Sequence, residues 1–162
     1  MPNVDSLDVY VDAIHFTLGK FYRPEDMHIG NLLTALSCFD AGTTTIVDAS
    51  HNARSPDHTD ACLDALDEAG IRALHMPGRP LAGDWAKHWP HDLERLKRDR
   101  FTSGDQLLTL GLFCETDPAA FVAARRLQLR TLTEFLGPMA PMLDKVKNLL
   151  GPDLQPLHQS AR

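Results

Sequence analysis

Four side chains able to do polar chemistry follow one β-branched run: in "TTTIVDASHN", Asp48, Ser50, His51 and Asn52 come directly after Thr43–Val47. A carboxylate, a hydroxyl, an imidazole and an amide at a strand end can bind a small polar molecule or move its protons. They can equally close a turn, because Ser and Asn satisfy local backbone groups there. Further chemistry-bearing residues recur at the ends of later apolar runs: His75, Glu115, Glu134 and His158. His88 and His91 form an H-x-x-H pair in "DWAKHWPHD", but Pro90 intervenes and no third donor is near. Trp85 and Trp89 in the same stretch either cover a site or pack the loop. His15, His28 and His58 fall on helical segments and read as structural or surface residues. No G-x-S-x-G occurs, so a nucleophile elbow is not supported.

These groups need elements to hold them. Ser6 caps a helix expected to run to about Lys20, and "RPED" opens a second, with Pro24 in its first turn and acids beside the positive helix end. Gly42 stops it. Strands are expected at Thr43–Val47, Ile71–Met76, Leu107–Cys114, Thr131–Phe135 and Leu154–His158, the last interrupted by Pro156. Helices are expected from Ser55-Pro56-Asp57 to Gly70, over Asp92–Arg98, Pro118–Gln128 and Ala140–Leu150. Strands alternating with helices predict a parallel sheet, and apolar strand runs predict cover on both faces. After Val47 comes "DASHNARSP", without glycine, and neither GxGxxG nor GxxxxGK[ST] occurs, so a phosphate-cradling doubly wound sheet is not supported. Polar groups at successive strand ends suit a barrel, where chemistry sits at the C-terminal strand mouths.

Composition narrows the partners. The net charge of −6 comes with Lys and Arg mixed among acids, and the densest basic stretch, "RLKRDR" (Arg95–Arg100), carries an acid inside it. Nucleic acid is not an expected partner. No stretch approaches the roughly 18 apolar residues of a membrane span, and the acidic N-terminus lacks a signal-peptide pattern. Cys38, Cys62 and Cys114 are far apart and read as buried free thiols, as expected in a reducing, cytoplasmic setting. The 162 residues fit one domain.

"YRPED", "AGTTTIVDASHN", "SPDHTDA" and "AGIRAL", in this order and spacing, resemble the metal-dependent amidohydrolase superfamily, and within it the cytosine-deaminase-like and chlorohydrolase-like branch. "LLTLGL" and "LGPDLQPLH" extend the likeness, which is contiguous from Tyr22 to Arg79 and patchy after Phe113. The resemblance implies a (β/α)8 barrel that hydrolyses carbon–nitrogen or carbon–halogen bonds in cyclic or amidine-like small molecules, using a divalent zinc or iron. It also implies an HxH pair on the first strand, a His on the fifth, a His near the end of the sixth and an Asp on the eighth.

Carried over, the fifth-strand His position holds Glu134 and the sixth-strand His is His158, while no HxH occurs in the sequence. Ser50, His51 and Asn52 become substrate-side candidates. The expectation is therefore an α/β partial barrel spanning about strands two to six. Its metal is not stably bound and its isolated activity is absent. Self-association, or complementation by a missing barrel segment, is then expected at the open edges. The alternative is a non-catalytic ligand-binding or interaction protein derived from the same fold.

Overall fold

In a computed structural model, residues 6–87, 89–114, 117–135 and 154–159 are described, with backbone alone for 86, 134–135 and 154–159. The expected helix Ala140–Leu150 and the residues Glu115 and His88 lie outside the described residues. Ser6 Oγ accepts the Val9 N–H at 3.3 Å and starts helix α1, Leu7–Tyr10. The expected single helix to Lys20 is instead three: α1, a π-helix over Val11–Leu18 and a 3-10 turn over Gly19–Phe21. Helix α2, Pro24–Asp40, begins where the Asp26 carboxylate accepts both the Arg23 N–H and its Nε, each at 2.9 Å.

Among the described residues five strands follow: β1 Thr45–Ser50, β2 Arg72–Pro77, β3 Leu108–Phe113, β4 Arg130–Phe135 and β5 Leu154–Gln159. Between them lie α3 Pro56–Ala69, α4 Asp92–Asp99 and α5 Pro118–Leu127. The sheet order is β1-β2-β3-β4-β5, parallel throughout. Sequential parallel strands with helical crossovers form the wall of a (β/α)8-type barrel, as expected. Ser55 caps α3 by accepting the His58 N–H, and Gly70 ends it at φ 69°, a left-handed conformation that glycine adopts without strain.

The helices cover one face. Ile46 of β1, Ala73 of β2 and Leu108 of β3 pack with Ala35 of α2, Leu63 and Leu66 of α3 and Leu96 of α4. Leu112 of β3 packs with Phe121 and Ala124 of α5 and Leu93 of α4. The opposite, concave face carries Leu74 and Met76 of β2, Phe113 of β3 and Leu132 of β4. Cover on both faces fails at β1, where Val47 on the concave side is 50% exposed.

β1 also starts later and runs further than expected. Its ladder with β2 continues through Asp48↔His75 to Ser50↔Pro77, so Asp48 and Ser50 are strand residues rather than loop residues. Between β4 and β5 the register shifts at Thr133/Glu134, beside Pro156, which has no N–H to give the ladder.

Candidate functional site

Alternation along β1 and β2 decides which polar groups reach which face. Ile46 and Ala73 face the helices, so Asp48, Ser50 and His75, two and four residues on, face them too. The Asp48 carboxylate lies 2.7 Å from His75 Nδ1, with the His75 side chain 0% exposed and that of Asp48 14% exposed. A carboxylate only accepts, so Nδ1–H donates. The ring stacks on Phe101, centroids 6.4 Å apart at 8°. Its Nε2 is buried with no hydrogen-bond partner among the described residues.

Ser50 is buried as well and contacts the Cys62 thiol. Burial, then the nearby Asp48 charge, pushes that thiol up to about 12. Asp48, His75, Ser50 and Cys62 are thus a polar seam between sheet and helices, shielded from any ligand at the barrel mouth.

The mouth itself is built by the next two residues. His51 sits edge-on over the Phe113 ring at the end of β3, centroids 4.7 Å apart at 82°. Gly78, just past β2, makes room for it: a Cβ there would lie 2.6 Å from His51 Cε1. Asn52 Oδ1 meets His15 Nδ1 at 3.3 Å. His15 comes from the π-helix, is 8% exposed, and stands edge-on to Tyr10 at 5.4 Å and to His51 at 5.9 Å. Gly19 closes on the same amide oxygen, since a Cβ at Gly19 would lie 2.9 Å from it. The Gly19 N–H bonds Ile14 O, five residues back, and this widened turn lets both His15 and Gly19 reach Asn52.

Aromatic edges, two imidazoles and an amide at a strand mouth suit a flat, polar ring or an amidine-like group. Trp85 and Trp89 do not add a ligand pocket: with Ala53, Thr59 and Leu93 they line a cavity of about 10 Å³, the size of one water. They pack the loop.

Glu134 and His158 are partners in the β4–β5 register, and their side chains lie outside the described residues. Among the described residues no group of three His, Cys, Asp or Glu is placed to hold a metal. A catalytic zinc takes three protein ligands. The described donors therefore do not complete a zinc or iron centre.

His15 was read as a structural or surface residue, and His75 as a strand-end group rather than as the partner of Asp48. The pairing of Asp48 with His75 depends on the β1–β2 register, which carries Asp48 inside a strand expected to end at Val47. Nothing in the sequence links His15 to Asn52, 37 positions away.

No protein-family model and no curated protein matches the chain. Solved structures do. A triazine hydrolase variant matches with TM-score 0.65 at 15% identity, over 91% of this chain and 40% of that one. Triazine hydrolase from Arthrobacter aurescens, modified for expression, matches with TM-score 0.63 at 16% identity, over 91% and 40%. The atrazine chlorohydrolase TrzN from Arthrobacter aurescens TC1, complexed with zinc, matches with TM-score 0.59 at 16% identity, over the same shares. The chain thus has the fold of part of these hydrolases and spans about two-fifths of their length.

Proposed function

We propose that this chain is an amidohydrolase-related protein that acts on cyclic or amidine-like small molecules with carbon–nitrogen or carbon–halogen bonds. Within that activity its part is to bind and orient the ligand at the mouth of β1–β3. The carrying observation is the pairing of His51 on Phe113 with Asn52 at that mouth, on a sheet that matches triazine hydrolases over 91% of the chain. A strand mouth with few convergent polar groups and aromatic walls is where such a fold binds ligands. His158 and Glu134 are partners in the β4–β5 register, and in the proposal His158 is the substrate contact and Glu134 stands in the place of a family metal ligand.

A non-catalytic binding role is the second reading. It is favoured by the donor set, because no three described donors converge. Both readings share a cytoplasmic setting, in keeping with three free cysteines.

One experiment tests the ligand-binding role that both readings share. The purified chain is titrated calorimetrically with triaminotriazine and guanidine, and assayed for release of ammonia or chloride with zinc or iron added at known stoichiometry. Binding without metal-dependent turnover by these 162 residues is expected. Turnover that tracks bound metal would overturn the claim that the chain supplies ligand contacts rather than a complete centre. Absence of binding to either compound class would overturn the small-molecule reading itself.

A further inference from the structure

We infer that His15 is a positioning residue of the mouth, which fixes the amide of Asn52 so that its NH2 end is the hydrogen-bond donor presented to a ligand's acceptor atom. The inference rests on the reading above and adds to it a residue and a selectivity: a ring nitrogen or carbonyl oxygen, not a donor group, is recognised at Asn52.

The argument begins with the amide's two ends. An asparagine amide is symmetric in shape but not in chemistry, so an unheld Asn offers a ligand either an acceptor or a donor. Here Oδ1 is taken: His15 Nδ1 lies 3.3 Å from it. Since Oδ1 only accepts, His15 must carry its proton on Nδ1. The nitrogen end, Nδ2, has no hydrogen-bond partner among the described residues. Two NH groups at a half-buried mouth are thus left for an incoming acceptor.

The chain is built to keep this arrangement. The π-helix is exposed or half-buried except at His15, so its one buried side chain is the one that holds Asn52. Gly19 closes the other side of Oδ1, where any Cβ would collide with it. Tyr10 and His51 flank the His15 ring edge-on, at 5.4 Å and 5.9 Å, and limit its rotation. Rotation of the Asn52 amide by half a turn would place NH2 against the His15 N–H, donor on donor. A ligand acceptor such as a triazine nitrogen therefore gains a hydrogen bond at Asn52, whereas a ligand donor finds a donor.

Two measurements decide it. Long-range nitrogen–proton NMR of the full chain reads the His15 tautomer directly, without a ligand. The proton on Nδ1 is expected, and a proton on Nε2 alone would overturn the inference, whether or not any ring compound binds.

The second measurement compares triaminotriazine with triaminobenzene, which has the same shape and amino groups but no ring nitrogens. At least tenfold tighter binding of the triazine by the wild-type chain is expected. His15→Phe keeps the aromatic edge contacts and loses the N–H, and should shrink that preference to threefold or less while the far-UV spectrum is unchanged. His15→Gln restores a donor and should recover part of it. A preference unchanged in His15→Phe would overturn the inference and leave the proposed function standing. Failure of both compounds to bind wild type would count against the proposed function, with the tautomer still deciding His15.

Discussion

Removing Asp48 should cost far more than removing Asp48 and His75 together. In Asp48→Ala the His75 ring stays fully buried and loses its carboxylate partner at 2.7 Å. Its Nε2 is already without a partner among the described residues, so both ring nitrogens would then be bare. A hydrogen bond to a charged group is worth about 1.5–3 kcal/mol, and a buried unsatisfied nitrogen costs about 1–3 kcal/mol. The contributions overlap, and a loss of about 2–4 kcal/mol is expected.

His75→Phe should cost less. The new ring keeps the stacking on Phe101, and the carboxylate left behind is 14% exposed and reaches some water. In the double variant no polar group remains to be satisfied, so it should fall within roughly 1 kcal/mol of wild type. Urea unfolding followed by circular dichroism gives each stability, and the double-mutant cycle gives the coupling, expected at about 2 kcal/mol. A single-variant loss under about 1 kcal/mol, or additive effects, would refute the reasoning that the pair is a desolvated unit.

Gly111→Ala should destabilise by about 1–3 kcal/mol through overpacking, because its Cβ would lie 2.7 Å from Met76 Cε and 3.1 Å from the Arg130 carbonyl oxygen; unfolding of that variant checks it. Iodoacetamide at pH 8 should label half-buried Cys38 first. Cys62, held near 12, and Cys114, raised by burial and by Asp117, should react only after urea is added, as mass spectrometry of the peptides will show. The Arg23 side-chain hydrogen bond, then the Arg23 N–H, holds Asp26 down at about 2. Its support for the start of α2 is complete above the unfolded value of about 3.9 and lost as pH falls through about 2. Amide exchange of residues 23–27 should rise over that window, and in Asp26→Asn the window should vanish.

Local signals carried the elements. The β-branched run before Asp48, the Ser55-Pro56 helix start and the Gly70 stop depend on backbone preferences that act within a few residues, and each stands where it was read, with strand ends moved by at most three positions. The parallel sheet followed from strand–helix alternation, and its sequential order from the barrel reading of polar groups at successive strand ends.

Which face each polar group took was beyond those signals. Strands apolar on both sides look alike under a one-residue shift, yet that shift exchanges the faces. Ser50 was read beside His51 and Asn52 as one cluster. The β1–β2 register turns Asp48 and Ser50 to the helices, and the strand ends before His51 and Asn52, freeing them for the mouth. The π-helix was hidden for a different reason. Its form answers a contact between Asn52 and two residues of the N-terminal segment, His15 and Gly19. A contact spanning 37 positions exists only once β1 is in place. Periodicity within the segment has no knowledge of it, so the helix, its widened turn and the amide it holds were decided by tertiary packing.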